Sequence, residues 1–270
     1  MGRIIRGPWS LKDSDADYLM NVSDEIEYVA FDLETTGLYK SDKIIEIALV
    51  VFKDGKILEE WSTLVNPMRD VGKTNIHGIT PSMLSAAPLF EEITNDLFRV
   101  INNRVLVAHN FSFDARMLAQ ELEQHGKEGD IGKGFCTLIA SRRILPGSGD
   151  SLKSTCDALG IPSISAHSAL GDARMTMQIF HHLKEDDQKV TPAKMQYEKQ
   201  KNPVPVIVRN AFSGEQDDAL EQIRAFTSKV PFPTSDEKGV AYLLLLNMAM
   251  QDLIISKNEE ADMRLLFRPK

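Results

Sequence analysis

Runs of apolar residues divide the first 183 positions into a strand-rich part and a helix-rich part. Residues 28–33 and 44–52 are apolar almost throughout, and a third β-rich run, 57–65, follows after Asp54-Gly55. An Asp-Gly pair between two β-rich runs is typical of a hairpin, so these runs predict antiparallel strands. Residues 105–108 predict a further short, buried strand.

Helical spacing dominates the second part of this region. Apolar residues recur three and four positions apart in five segments: 91–101, 112–124, 135–143, 151–159 and 169–183. Three strands in a meander, followed by alternating helix and strand, predict an α/β architecture in which a mixed sheet is covered by helices.

The composition changes after residue 183. Residues 184–205 are rich in charge and proline, which predicts a linker between a main domain over 27–183 and a helical C-terminal region over 206–270. We expect residues 1–26 to form a loosely ordered lead-in, and the chemistry to survive truncation after residue 185. The C-terminal region has three capping-box pairs that each predict a helix start: Ser213/Gln216, Thr234/Glu237 and Ser256/Glu259.

Composition limits the classes of function. The 270 residues are 43% hydrophobic and 26% charged, as in ordinary globular proteins, and the longest apolar run, 240–246, is too short to span a membrane. A net charge of −8 argues against a protein that coats nucleic acid, but allows binding of a single nucleic-acid end. Cys136 and Cys156 make no disulfide framework, so we expect reduced thiols and a cytoplasmic location.

Two carboxylates at alternate positions of one predicted strand are the first sign of chemistry. Side chains alternate across a strand, so Asp32 and Glu34 leave the sheet on the same face. Like charges held this close repel each other unless a cation lies between them. Oxygen ligands without nearby Cys or His favour Mg²⁺ or Mn²⁺ over zinc.

Two further carboxylates lie in suggestive places. Asp114 follows a buried strand where a helix begins, and in open α/β sheets ligands collect at that edge. Asp172 is early in the last predicted helix, and His167 precedes it by five residues. A lone Asp near a helix start is usually a cap, so either position alone is weak evidence. Together with Asp32 and Glu34 they predict a metal-dependent phosphodiesterase.

Four segments carry a resemblance to a known family. They are Phe-Asp-Leu-Glu-Thr-Thr-Gly at 31–37, Ile-His-Gly-Ile-Thr at 76–80, residues 109–114, and His167-x4-Asp172. In this order and at these separations they resemble the DEDD-type 3′→5′ exonucleases with a histidine in the third motif (DEDDh), a group that includes the proofreading epsilon subunits of bacterial DNA polymerase III. The resemblance covers residues 25–183.

The resemblance implies a ribonuclease H-like fold, with a mixed five-stranded sheet and flanking helices, to which the C-terminal helical region is appended. It implies that Asp32, Glu34 and Asp172 bind two Mg²⁺ or Mn²⁺ ions, that Asp114 holds the second ion, and that His167 is the general base. It also implies contacts to the 3′-terminal nucleotide by these residues: Thr35, Thr36, Leu38, His77 and Phe113. For Leu38 and Phe113 the alternative is core packing, and for His77 it is a structural role.

The implied reaction is hydrolysis of a single-stranded or frayed 3′ end to nucleoside 5′-monophosphates, with DNA favoured and RNA open. A ribonuclease H-type endonuclease and a catalytically idle nucleic-acid-binding module are the alternatives. A DNA polymerase or sliding-clamp partner is also open. Residues 265–267 resemble the hydrophobic end of a clamp-binding motif, although Met263 stands where that motif has Gln.

Overall fold

The computed structural model describes residues 20–21, 26–72, 74–162, 168–200 and 202–209. Most of the predicted lead-in, the predicted helices after residue 209 and the three capping-box pairs lie outside the described residues. His167 lies outside them as well.

A mixed sheet of five strands forms the centre of the domain. Nine strands are described in chain order: β1 Met20–Asn21, β2 Tyr28–Thr35, β3 Ile44–Lys53, β4 Lys56–Leu64, β5 Val105–Ala108, β6 Gly129–Asp130, β7 Phe135–Cys136, β8 Lys189–Val190 and β9 Lys194–Met195. The central sheet has the order β4-β3-β2-β5-β7, in which β2, β3 and β4 are antiparallel neighbours and β5 and β7 run parallel to β2. This confirms the predicted mixed five-stranded sheet.

The β3–β4 hairpin follows the sequence prediction. Asp54 and Gly55 connect the strands with φ values of 50° and 72°. Both residues are in the left-handed region, which matches the twist of a tight hairpin and is tolerated by Asp and Gly.

Helices cover both faces of the sheet. They are α1 Thr74–His77, α2 Pro81–Leu84, α3 Phe90–Ile101, α4 Phe111–Gln124, α5 Thr137–Ile144, α6 Leu152–Leu159 and α7 Ala169–Leu183. Val29, Phe31 and Leu33 of β2 pack with α3 and α4 on one face, whereas Tyr28 and Ala30 pack with α5 to α7 on the other. The strand period of two therefore sends Asp32 and Glu34 to the α7 face.

One predicted helix starts later than expected. The segment 135–143 was predicted as helical throughout, but Phe135 and Cys136 form β7, which pairs with Val107 and Ala108 of β5, and α5 begins at Thr137. Two residues are too few to show a period, so the parallel pairing to β5 decides their conformation.

The described part of the predicted linker is packed on the domain. Strand β8 pairs with β1, and β9 pairs with β6. Farther along, the Leu64 N–H donates to the Ile207 carbonyl at 2.7 Å, and the Ile207 N–H donates to Thr63 Oγ1 at 3.1 Å. Composition predicted a connector, but its backbone groups find partners on the domain, which holds the chain there as far as Arg209.

The cysteines and the lengths of the helices bear on two expectations drawn from composition. Cys136 and Cys156 are buried, free cysteines, as expected from the absence of a disulfide framework. No helix in the described ranges is long and apolar enough to cross a membrane.

Candidate active site

Three carboxylates converge where β2 meets α7. Asp32, Glu34 and Asp172 each contribute one carboxylate oxygen, and these three oxygens lie within 4.8 Å of one another. All three side chains are half-buried. Asp32 and Glu34 share a face of β2, and α7 lies against that face. The structure therefore brings Asp172 to the pair of carboxylates that strand alternation places on one face, as the family resemblance implied.

The start of α7 fixes the position of Asp172. The Ser168 hydroxyl accepts a hydrogen bond from the Gly171 N–H at 3.2 Å, and the Asp172 N–H donates to the Ser168 carbonyl at 2.9 Å. Ser168 is thus an N-cap, and Asp172 lies in the first turn, where the helix dipole favours a negative charge.

Asp114 approaches the same strand from the opposite face of the sheet. Strand β5 ends at Ala108, and the chain turns through Asn110, whose φ of 69° is left-handed, into α4. Asp114 is 4% exposed, and the backbone amides of Asp114 and Leu33 stabilise its charged form by hydrogen bonding. Its charge also acts directly on Asp32.

The carboxylates destabilise one another when they are charged. Burial raises the pKa of Asp32 well above its ordinary value, and the charges of Asp114, Asp172 and Glu34 raise it further. Burial also raises the pKa of Glu34 to about 7, although Arg209 opposes that rise. The pKa of Asp114 is raised chiefly by burial. A donor set of buried oxygens under mutual repulsion fits a hard divalent cation, which would stabilise the charged forms.

This electrostatic arrangement predicts how the metal-free protein responds to pH. A carboxyl group whose pKa is higher in the folded than in the unfolded state stabilises the fold at low pH, and that stability is lost as pH rises through the folded-state pKa. For Glu34 this range runs from 4.5 to about 7. In EDTA, the melting temperature of Glu34→Gln should therefore exceed that of wild type increasingly as pH rises through this range. Equal melting temperatures across the range would contradict the assigned pKa, and added Mn²⁺ should reduce the difference.

Two predicted base-packing residues, Leu38 and Phe113, contact the same guanidinium, that of Arg116. Leu38 is 71% exposed, and Phe113 is half-buried against the core. Arg116 places its guanidinium 5.3 Å from the centroid of the Phe113 ring and donates from Nη2 to the Leu38 carbonyl at 3.1 Å. The exposure of Leu38 excludes core packing at that position, while Phe113 combines core contact with partial exposure.

The other predicted nucleotide contacts use their polar atoms within the protein. The Thr35 hydroxyl donates to the Gly37 carbonyl at 2.8 Å, and Thr36 Oγ1 accepts from the Lys43 N–H at 3.0 Å. His77 is 3% exposed; its Nδ1 accepts from the Ile79 N–H at 3.1 Å, and its Nε2 faces the Val71 carbonyl at 3.2 Å. Both ring nitrogens are engaged, which favours the structural alternative for His77.

Two charged residues near this site were not singled out from the sequence. Glu46 is the one carboxylate in an otherwise apolar stretch of β3, is 4% exposed, and lies directly across from Glu34 in the β2–β3 ladder. A single carboxylate in an apolar strand indicates a buried charge that is paired with a cation, because a buried carboxylate needs a partner. Arg209 supplies the partner, and its distant position in the chain gave no comparable signal.

Comparison with known proteins places these motifs in a family. Residues 29–180 match the family model for RNase_T, described as Exonuclease. The chain is 37% identical over 183 residues to the DNA polymerase III subunit epsilon of Treponema pallidum, covering 63% of this chain and 84% of that protein. It is 35% identical over 156 residues to the PolC-type DNA polymerase III of Thermotoga petrophila, covering 57% of this chain but 11% of that much longer protein.

Among solved structures, the chain is similar to exonuclease X in complex with 5′ overhanging duplex DNA. The two are 31% identical with a TM-score of 0.44, and the match covers 57% of this chain and 92% of that one. It is also similar to the nuclease domain of 3′hExo, a DEDDh family member, bound to rAMP, with 15% identity, a TM-score of 0.48, and coverage of 59% and 92%. The family match extends over more than half of the chain and includes Asp32, Glu34, Asp114 and Asp172. The protein therefore belongs to the RNase_T exonuclease family, which confirms the predicted enzyme class, a 3′→5′ exonuclease.

Proposed function

We propose that the protein removes nucleotides one at a time from the 3′ end of single-stranded or frayed DNA and releases nucleoside 5′-monophosphates. The observation that carries this proposal is the group of oxygens from Asp32, Glu34 and Asp172 within 4.8 Å, with Asp114 buried beside it. Such a donor set suits two Mg²⁺ or Mn²⁺ ions bound between the carboxylates.

The four carboxylates have two kinds of role in the proposed mechanism. Asp32, Glu34 and Asp172 would hold the ions directly, and Asp114 would hold the second ion from the α4 side. When bound, two divalent ions stabilise the charge on the attacking and leaving oxygens of an in-line displacement and lower the pKa of water. The acidic side chains would hold the ions in place, and without that compensation their charge would repel a negatively charged phosphodiester.

His167 is the proposed general base. An imidazole has an ordinary pKa near neutrality, so it can accept a proton from the attacking water at physiological pH. His167 immediately precedes the Ser168 N-cap of α7, and the same helix supplies Asp172. This proposal rests on the sequence motif and on the position of His167 in the chain, one residue before the N-cap of the helix that carries Asp172.

The terminal nucleotide would lie against the surface formed by Leu38 and Phe113. The exposed Leu38 side chain offers apolar area to a base, and the Phe113 ring offers a face or an edge for packing. The Thr35 and Thr36 hydroxyls hydrogen-bond to the backbone of Gly37 and Lys43. These two residues would therefore hold the chain after β2 in shape beside the nucleotide, and would not offer free hydroxyl groups to it.

The relatives support a proposal for the cellular setting. The named relatives are a subunit epsilon of DNA polymerase III and a PolC-type DNA polymerase III, so we propose DNA as the substrate, a cytoplasmic location, and a role in proofreading or repair with a DNA polymerase as the candidate partner. Trimming of RNA is the second candidate. The ribonuclease H-type endonuclease and the idle binding module are the alternatives that experiment should exclude.

Substrate choice and metal requirement can be tested together. We would compare initial rates on single-stranded DNA, a duplex with a mismatched 3′ end, a fully matched duplex and single-stranded RNA, all of equal length, in EDTA, Mg²⁺ and Mn²⁺. We expect no hydrolysis in EDTA, recovery with either ion, and the fastest digestion of the single-stranded and mismatched DNA. Full activity in EDTA would contradict the metal requirement, and faster digestion of RNA would contradict the DNA preference.

A further inference from the structure

Glu34 and Glu46 face each other across the β2–β3 ladder. Like charges directly opposite in an antiparallel pair destabilise it, and both residues are at least half-buried. The charge of Glu46 raises the pKa of Glu34, and it also contributes to the raised pKa of Asp32. The pair therefore needs a compensating cation on the protein side, in addition to ions that Glu34 and Asp32 would bind.

Arg209 lies between the two carboxylates. Its Nη2 is 2.8 Å from Glu46 Oε2 and 3.6 Å from Glu34 Oε1, and its Nε donates to Glu46 Oε2 at 2.9 Å. The Arg209 side chain is 18% exposed, so the interaction is shielded from solvent. A planar guanidinium can contact several acceptors at once, which a lysine ammonium cannot do in the same geometry.

The Glu46–Arg209 pair connects three elements of the site. Glu46 Oε2 accepts from the Ala169 N–H at 3.0 Å, at the start of the helix that carries Asp172. Arg209 Nη1 donates to the His77 carbonyl, in the segment that resembles a nucleotide-binding motif. Glu34 on β2 is the third contact. One buried ion pair thus links β2, the first turn of α7 and the end of α1.

We propose that Arg209 is a positioning residue of the active site, which acts through Glu46 to hold Glu34 and Asp172 in the arrangement that binds the ions. Arg209 lies beyond the family match at 29–180 and beyond the domain boundary predicted at residue 183. The functional unit then extends to residue 209, and the hydrogen bonds of Ile207 to Thr63 and Leu64 are what place Arg209. This inference rests on the proposed metal-binding function of Glu34 and Asp172.

The test uses full-length variants: Arg209→Ala, Arg209→Lys, Glu46→Gln and the double variant Glu46→Gln/Arg209→Ala. Arg99→Ala is the matched control, because Arg99 forms a comparable ion pair with Glu59 on the protein surface, with Nη2 2.6 Å from Oε1. The readouts are kcat and KM on single-stranded DNA, Mn²⁺ affinity from the electron paramagnetic resonance signal of free Mn²⁺, and the melting temperature, which establishes that each variant is folded in the assay.

We expect Arg209→Ala to lower kcat by about 10- to 100-fold and to weaken Mn²⁺ binding by about 10-fold, the usual effect of losing a residue that orients metal ligands. KM should change little, because Arg209 is not proposed to touch the substrate. Arg209→Lys should show intermediate kcat and Mn²⁺ affinity, since lysine keeps the positive charge but lacks the planar set of donors of a guanidinium. The double variant should recover part of the loss, because Glu46→Gln removes the uncompensated charge.

Three results would overturn the proposal. In the first, kcat and Mn²⁺ affinity of Arg209→Ala equal those of Arg99→Ala. In the second, the changes in kcat and Mn²⁺ affinity caused by Arg209→Ala and Glu46→Gln simply add in the double variant, and in the third, Arg209→Ala binds Mn²⁺ more tightly and hydrolyses DNA faster than wild type. The last result would mean that Arg209 competes with the ions. If the wild-type protein digests no 3′ end, the proposed function fails, but the Mn²⁺ affinities still decide whether Arg209 positions the carboxylates.

Discussion

Asp32→Ala is expected to lower kcat by at least about 10³-fold, because it removes a carboxylate at the centre of the proposed two-ion site. Asp32 is close to three other acidic side chains, Asp114, Asp172 and Glu34, whose charges all act on it. Asp157→Asn is a suitable control, since Asp157 is an exposed carboxylate that pairs with Lys153 on the surface of α6. An unchanged rate in Asp32→Ala would refute the assigned role.

The same substitution should leave the protein folded. Burial and neighbouring charge raise the pKa of Asp32, so its charged form destabilises the metal-free protein near neutral pH. In EDTA, the melting temperature of Asp32→Ala should therefore be at least equal to that of wild type, whereas added Mn²⁺ should stabilise wild type more than the variant. Loss of activity together with a collapsed melting temperature in EDTA would mean that Asp32 is needed for folding.

His167→Ala is expected to lower kcat by about 10²- to 10⁴-fold, the usual range for loss of a general base. Mn²⁺ affinity should be nearly retained, because His167 is proposed to accept a proton and not to bind an ion. The acidic limb of the rate–pH profile should also flatten. His181→Ala, at an exposed position near the end of α7, is the control and should leave the profile unchanged.

A loss of Mn²⁺ binding in His167→Ala would instead make His167 a ligand. An unaltered profile with an unaltered rate would remove it from the mechanism. The Mn²⁺ affinity therefore separates a base from a ligand, and the rate and its pH profile decide whether His167 takes part at all.

Local sequence patterns predicted the parts of the site that lie on one element. Asp32 and Glu34 are two positions apart on one strand, and the period of a strand alone places them on one face. The β3–β4 hairpin was likewise predictable, because Asp54-Gly55 favours left-handed backbone at both positions. The approach of Asp114 and Asp172 to that strand depends on packing of separate elements, and it was predicted only through the resemblance to a family.

Long-range contacts account for what the sequence did not predict. The charge and proline content of residues 184–205 describes a chain that forms little regular structure, but it carries no information about where that chain docks. The hydrogen bonds that hold Ile207 on β4, and the ion pair of Arg209 with Glu46, join residues more than 140 positions apart. The engaged ring nitrogens of His77 were also not predictable, since they depend on the local path of residues 71–79.

The direction of digestion tests the central claim most directly. A single-stranded DNA labelled at its 5′ end, incubated with the full-length protein and Mg²⁺, should give a ladder of labelled products that shorten by one nucleotide at a time, and a blocked 3′ end should protect the strand. A circular single strand should remain intact. Release of the 5′ label as a mononucleotide at the earliest times, or cleavage of the circle into internal fragments, would contradict a 3′→5′ exonuclease.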